Sequence, residues 1–322
     1  MTIPALGHSV WIGPRLPWAY AFAVLSAARQ GGLDEIVLHH TDELADDAPV
    51  RSLAREPGVR LARTDPIARL LEAGAALGTG EAPADLYRRL PGPVARADLL
   101  RAAILYLEGG VYLDLDTVTT ASLLSLLSAR AFVGSEFIVW PLAVRNSRSP
   151  LVWARHLGLD LARKAMRRMP DGWRAFRKVE NHYFRGINNA VMGCAAGDAF
   201  FAKYLGAMLA LPRESQGRPY ALGPDLLQEL AGAGSRDGLV VHAPGVFYPL
   251  GPEISAHWFR FHRRVDLSSA LRPETRIVHW YASVGGTPPV ADITPDYVRR
   301  NRERQLYSAL VWAALGGPAG LP

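Results

Sequence analysis

The stretch Ala97-Asp98-Leu99-Leu100-Arg101, continued by Tyr106-Leu107-Glu108-Gly109-Gly110 and Val111-Tyr112-Leu113-Asp114-Leu115-Asp116, decides how the chain is read. Ala97, Leu100, Ile104 and Leu107 recur at helical spacing, which predicts a helix over 94–108. Gly109-Gly110 stops that helix and lets the chain turn sharply. The apolar run that follows predicts a strand over 111–116. Residues two apart on a regular strand share a face, so Asp114 and Asp116 are expected to project together where the strand ends. Two convergent carboxylates are costly unless a cation balances them. Hard oxygen ligands suit Mg²⁺ or Mn²⁺, above all when substrate phosphates complete the shell. Asp98 and Arg101, three apart, share one helix face, and a carboxylate beside a guanidinium suits sugar hydroxyls. An Asp-x-Asp triplet alone is common by chance. Its setting, after an Asp-x-x-Arg helix and a glycine stop, singles this one out.

Outward from this block the chain alternates strands and helices. Ser9–Ile12 reads as a strand ended by Gly13-Pro14, Trp18–Arg29 as a helix, and Glu35–His39 as a second strand. That β-α-β order predicts an α/β sheet built by crossover connections. Pro49–Gly58 reads as turn-rich and Gly74–Pro83 as a small-residue loop. Further strands are expected within 131–141, 239–242 and 277–280, and further helices over 199–211 and 224–231. Residues 147–178 are expected to form a helical insertion that includes a basic amphipathic helix over 151–169. Residues 294–322 are expected to form a C-terminal helix with an arginine cluster and an apolar end. The whole, 1–322, reads as a single domain.

Composition narrows the class. The 322 residues are 49% hydrophobic and 20% charged, which excludes disorder as the main state. One cysteine, Cys194, excludes an intramolecular disulfide and any multi-cysteine metal site. No apolar run reaches bilayer-crossing length. The start has neither a basic segment nor an apolar signal core, so the expected location is cytoplasmic. The net charge is +6, and 33 of the 36 basic residues are arginine. A basic protein of this kind suits a nucleic acid, a membrane surface or an anionic small substrate. No aromatic RNA-binding strand motif or zinc-finger spacing supports the first. The insertion's Arg163, Lys164, Arg167 and Arg168 suit an acceptor groove or an anionic surface. The apolar stretch Leu306–Leu315 beside four arginines fits either a helix packed on the domain or one lying in a membrane interface.

The block from Ala97 to Asp116 resembles the signature of glycosyltransferases with a DXD sugar-binding region, family 32 and its relatives. These include yeast-type α-1,6-mannosyltransferases and, more distantly, the glucosyltransferase domains of large bacterial glucosylating toxins. The resemblance implies a GT-A fold, a Rossmann-like mixed sheet flanked by helices. It also implies a nucleotide-sugar donor, a divalent metal and transfer with retention of anomeric configuration. Val10-Trp11-Ile12-Gly13 is similar to the toxins' opening strand, whose tryptophan stacks on the uracil of a UDP-sugar. The plainer reading of Trp11 is a core residue. The resemblance assigns Asp98 and Arg101 to donor sugar hydroxyls and phosphate, Asp114 to ribose and sugar, and Asp116 to the metal. Tyr112, Leu115 and Ile12 fall in the same donor-binding segments. Gly186-Ile187-Asn188-Asn189-Ala190 resembles a strand-loop whose asparagine approaches the donor sugar. That points to Asn188, with Asn189 as the rival; a plain turn is the alternative.

The late segment His279-Trp280-Tyr281-Ala282-Ser283 resembles the loop that closes over the donor in these enzymes. It makes His279 the second metal ligand and Trp280 and Ser283 donor contacts, with Gly285-Gly286 as hinge. The later Ser-Trp pair that the family often shows is missing, and Trp280 fits buried structure equally well. Gly223-Pro224-Asp225 is similar to the family's Gly-Pro motif near the acceptor side. The expected activity is therefore a retaining, Mn²⁺- or Mg²⁺-dependent hexosyl transfer from a nucleotide sugar, with UDP-sugar favoured. GDP-mannose is the alternative donor, and a basic nucleic-acid or membrane-surface binder is the alternative class. The acceptor is an unidentified hydroxyl: a glycan, a lipid-linked sugar, a natural product or a protein side chain. Peripheral contact with the inner membrane face is a further expectation.

Overall fold

A computed structural model describes residues 2–232, 238–284 and 288–322. The first half alternates as expected: β1 (Leu6–Trp11), α1 (Trp18–Gln30), β2 (Glu35–His40), α2 (Ala48–Arg55) and β3 (Val59–Arg63). Three helices follow, α3 (Pro66–Leu77), α4 (Ala82–Arg89) and α5 (Pro93–Glu108), and α5 leads into β4 (Gly110–Leu113) and β5 (Thr117–Thr119). Then come β6 (Ala131–Ile138), α6 (Leu142–Arg145), α7 (Pro150–Arg168), α8 (Gly172–Val179) and β7 (Phe184–Cys194). The remainder runs through α9 (Ala199–Ala210), α10 (Arg213–Gln216), α11 (Pro224–Gly232), β8 (Leu239–His242) and α12 (Pro244–Phe247). It ends with α13 (Leu267–Ala270), β9 (Ile277–His279), α14 (Pro295–Asn301) and α15 (Leu306–Ala314).

The main sheet has seven strands in the order β3-β2-β1-β4-β7-β6-β8. β1 pairs parallel with both β2 and β4, whereas β7 runs antiparallel to β4 and β6. β5 and β9 form a separate antiparallel pair. The sheet is mixed and flanked by helices, and α7 and α8 lie between β6 and β7. One apolar core gathers α1, α15 and the β5–β9 side of the molecule. A second gathers α5, α9 and α11.

Several local readings change. The stretch 49–58 holds α2, which Asp47 caps by accepting from Val50 N, and the 74–83 region begins inside α3. The tail is two helices. α14 carries Arg299 and Arg300, and α15 buries Leu306, Tyr307, Leu310 and Val311 against α1 and β5. Burying each such side chain contributes about 1.5–3 kcal/mol, so the apolar end of the chain is committed to the domain core. Among the described residues no helix is long and apolar enough to cross a membrane.

The Gly109-Gly110 break is a steric requirement. Gly109 sits at φ 70°, ψ −164°, a region essentially reserved for glycine. A Cβ there would lie 2.7 Å from Ala196 N and 3.0 Å from Cys194 O. Nearby, β1 and β2 bury His8 and His39. His8 Nδ1 lies 3.0 Å from His39 Nε2, His8 Nε2 3.0 Å from Gly109 O, and His39 Nδ1 3.0 Å from Thr64 Oγ1. Burial lowers the His8 pKa to about 4; burial and then the neighbouring His8 lower that of His39 to about 3.

Two outcomes follow from this packing. Gly109→Ala is expected to cost on the order of 3 kcal/mol in urea unfolding, with the unfolding slope unchanged. Stability is expected to fall on acidification. The unfolded histidines protonate below about pH 6.5 while the folded ones stay neutral to about pH 4, so the unfolded state binds more protons in that window. Unfolding midpoints taken across it should drop, and His39→Gln should flatten that slope.

Candidate active site

The carboxyl ends of the parallel strands carry the site. β4 stops at Leu113, so Asp114 and Asp116 stand on the turn that follows rather than on the strand. Their convergence comes from that turn and not from strand alternation. Asp114 N donates to Ala190 O at 2.8 Å, and Thr117 Oγ1 donates to Asp114 O at 2.7 Å. β5 then begins and pairs Thr117 with His279 of β9. This pairing brings a residue 163 positions away onto Asp116: His279 Nε2 lies 2.9 Å from Asp116 Oδ1. Ala282 N donates to Asp116 Oδ2 at 2.9 Å. Ligand atoms of Asp114, Asp116 and His279 all lie within 4.8 Å of one another.

Behind the aspartates is a buried charge network. Arg101, from the middle of α5, places Nη1 3.1 Å from Asp114 Oδ2 and 3.0 Å from Asn189 O. Its Nη2 lies 3.3 Å from Asp98 Oδ1, and its guanidinium stacks over the Tyr112 ring at 4.6 Å. Asn189 Nδ2 donates to Asp98 Oδ1 at 2.7 Å, and Tyr112 OH donates to Asp114 Oδ1 at 3.0 Å. The side chains of Asp98 and Arg101 are under one-tenth exposed, whereas Asp114 and Asp116 keep 23% and 18% of theirs open. The aspartates are the face that a ligand can meet.

The electrostatics separate these groups. Burial raises the pKa of Asp98 against the pull of Arg101 and Asn189. Burial also raises that of Asp114, with Arg101 opposing and Asp116 adding to it. For Asp116 burial acts upward, but the His279 charge and hydrogen bond bring the pKa below its ordinary value. His279 moves the other way: burial disfavours its charge, and Asp116 outweighs that and raises the pKa. A carboxylate pair with one imidazole is a donor set that fits Mn²⁺ or Mg²⁺. The buried His279 Nδ1 has no hydrogen-bond partner.

The other expected residues fall into place unevenly. Trp11 ends β1 and meets the ring of Tyr20 at 5.2 Å. Burial and then the charges of Asp116 and Asp114 raise the Tyr20 pKa to about 12. Asn188 and Asn189 stand within β7, opposite a register shift between Val133 and Gly134, and not on a loop. They serve different partners: Asn189 holds Asp98, while Asn188 Oδ1 accepts from Ala190 N and its side chain bonds Glu136. Trp280 is fully buried against Tyr20, Phe259 and Tyr307, so its ring is core and only its backbone N–H reaches Asp116 O. Leu115 is buried in the same core, Ile12 packs on the second core, and Ser283 is exposed. Gly285-Gly286 lies outside the described residues. Gly223 sits where a Cβ would come 2.7 Å from Asn189 Nδ2, so the Gly-Pro start of α11 borders the site.

Three residues went unread in the sequence. Tyr20 lies between the rings of Trp11 and Trp280. Glu136 accepts a 2.6 Å hydrogen bond from Tyr281 OH, and Tyr281 takes a left-handed φ of 59° directly after the His279-Trp280 pair. No sequence spacing links these positions; only the pairing of β9 with β5 and the end of β6 do.

Residues 67–133 match the family model described as "Glycosyltransferase sugar-binding region containing DXD motif". The match includes α5, the glycine break and both turn aspartates. No curated protein matches the chain in sequence. Among solved structures it is similar to the bifunctional glycosyltransferase WbbM in its apo form, at 11% identity and TM-score 0.46, over 99% of this chain and 50% of that one. It is similar to mouse xyloside xylosyltransferase 1, apo form, at 12% identity and TM-score 0.45, over 88% of this chain and 98% of that one. It is also similar to the UDP-bound glycosyltransferase domain of the YGT toxin, at 11% identity and TM-score 0.41, over 75% and 79%.

The network predicts the cost of losing its centre. Arg101→Met leaves Asp98 and Asp114 without their buried cation and is expected to lower stability by about 3–5 kcal/mol at neutral pH. Arg101→Lys is expected to fall between, because an ammonium cannot span both carboxylates and the Asn189 carbonyl. Urea unfolding of the three proteins at one pH checks the order.

Proposed function

We propose that the chain transfers a hexose from a nucleotide sugar, a UDP-sugar by preference, to a hydroxyl acceptor with retention of configuration. One observation carries the reading: Asp114, Asp116 and His279 converge within 4.8 Å at the open edge of the Asp98–Arg101–Asn189 network. Asp116 and His279, with Asp114 beside them, would hold a divalent cation. When bound, that cation supplies Lewis-acid stabilisation to the departing diphosphate.

The remaining roles are those of the chain itself. Asp114, partly open, accepts from sugar or ribose hydroxyls. Arg101 has its donors committed to Asp98, Asp114 and Asn189, so it positions the aspartates rather than gripping phosphate. Asp98 and Asn189 fix one another below the sugar, while Asn188 and Glu136 approach from the β6 side. Trp11, backed by Tyr20, offers a flat apolar face to a base. Uracil is favoured on the resemblance of the opening strand, and a guanine donor is the competing case. The strap from Tyr281 to Ser283 excludes water from Asp116.

The test is a panel of UDP- and GDP-sugars, read by thermal stabilisation and donor hydrolysis, with Mn²⁺ and with EDTA. One UDP-sugar is expected to stabilise the protein and to be hydrolysed only with metal present. Asp116→Asn should abolish both responses while its own melting without ligand stays close to that of the parent. Response to a GDP-sugar alone would replace the donor. A folded protein that answers no nucleotide sugar with metal present would overturn the reading.

A further inference from the structure

Helix α7 is built partly inside out. On a surface helix the outward stripe is ordinarily polar and the inward one apolar. Here the buried positions are His156, Asp160 and Met166, with Leu159 packed against the core, so the inward face mixes polar and apolar side chains. His156 Nδ1 lies 2.7 Å from Val139 O, and Asp160 is paired with Arg163 and with Lys164. The exposed positions include Leu151, Ala154, Leu157, Gly158, Leu161 and Ala165, beside Arg155, Lys164 and Arg168. Leu151 is 83% exposed, Leu161 59% and Leu157 52%. Trp153 stands half out of the surface against Trp140, 5.2 Å between ring centroids. Leu142, on α6, and Met169, just after α7, are also exposed. Leaving this much aliphatic surface in water forfeits about 25 cal/mol per Å² that an apolar cover would return.

Charge identifies the cover. Between 142 and 169 Asp160 is the one acidic residue, and it is buried and paired. Arg145, Arg148, Arg155 and Arg168 are exposed around the stripe. A second copy docked on this face through a two-fold axis would set those cations against themselves. An anionic bilayer would not: leucines and a tryptophan enter the headgroup boundary while the arginines meet lipid phosphates.

We propose that α7 is a membrane-docking helix that lies in the interface of an anionic lipid surface. It stands apart from the nucleotide-sugar reading and from the tail, whose apolar helix α15 is spent in the core. α7 is anchored by His156 to the end of β6, the strand whose Glu136 bonds Tyr281 beside His279.

The experiment is co-sedimentation of the full chain with vesicles of phosphatidylcholine alone and with about one-third phosphatidylglycerol. Tryptophan emission provides a second readout. The parent is expected to bind the anionic vesicles, with a blue shift, and to leave the neutral ones largely unbound. Leu157→Glu with Leu161→Glu, both exposed and outside the site, should weaken binding about tenfold or more. Arg155→Glu with Arg168→Glu should do the same and remove the salt dependence. Absence of parent binding to anionic vesicles overturns the proposal. So does binding that neither pair of substitutions weakens. A parent that instead forms a dimer broken by the leucine substitutions, with no vesicle binding, assigns the stripe to a second copy and overturns it as well. Circular dichroism of the variants confirms that they are folded, and none of these readouts depends on the enzyme's donor.

Discussion

A single guanidinium, Arg101, holds the site together by bringing two buried carboxylates and a strand carbonyl onto one cation. Each partner comes from a different element: Asp98 from α5 itself, Asp114 from the turn after β4, and the Asn189 carbonyl from β7. A carboxylate taken out of water alone costs several kcal/mol, and the cost is tolerable only where a cation and hydrogen bonds replace the lost hydration. The arginine therefore fixes where α5 sits against the sheet as much as it fixes the aspartates. Its reach depends on Gly109, because the helix must end and reverse within one residue for β4 to run back beneath it. Chain geometry and charge balance are thus one constraint: without the glycine-only turn the carboxylates would not face the guanidinium.

The balance is incomplete, and the shortfall is at the open edge. Three carboxylates, Asp98, Asp114 and Asp116, share the cluster with one guanidinium, Arg101, and one imidazole, His279. The Asp114–Asp116 pair is the most exposed part of the cluster. A site that shields its interior and leaves anionic character at its mouth is suited to a cation arriving with a polyanionic ligand. Glu136 adds a fourth carboxyl nearby, but burial raises its pKa and it accepts from Tyr281 and Asn188. It belongs to the hydrogen-bonded wall of the site rather than to its charge.

Sequence reading succeeded where local rules act alone. The α5 helix, the glycine stop and the strand after it follow from periodicity and from the conformational freedom of glycine. The block was specific enough to point at all four charged residues. It failed where tertiary pairing decides. Asp114 and Asp116 share a site because of a turn stabilised by Thr117 and Ala190, a device that mimics strand alternation in the sequence. Asn188 and Asn189 looked like a turn pair, yet the long strand β7 absorbs them at a register shift and sends them to opposite partners. Tyr20 lies on a helix whose pattern marks only burial, and its place between Trp11 and Trp280 comes from tertiary packing. Trp280 had two readings, and its tight packing against Phe259 and Tyr307 makes its ring part of the core.

The two basic-apolar segments of the chain show why composition cannot settle what a surface does. Both α7 and the tail combine leucines with clustered arginines, and both read as amphipathic. In the tail the charges gather on α14 and the apolar residues on α15, so a bend between the two lets the second helix bury Leu306, Tyr307, Leu310 and Val311. In α7 the polar and apolar residues interleave along one unbroken helix of 19 residues, so no bend can separate them. One stripe must face the domain and the other the solvent. The stripe that turned inward is the one with partners waiting: Val139 O for His156, and Glu253 for Arg163 on Asp160. Two charge-assisted bonds to Arg163, each worth about 1.5–3 kcal/mol net, compete against the burial of a few leucines. Here the polar contacts were kept, Leu159 and Met166 packed inward, and Leu151, Leu157 and Leu161 were left outside. A helix set by its polar contacts to the interior has its apolar face available for something other than folding.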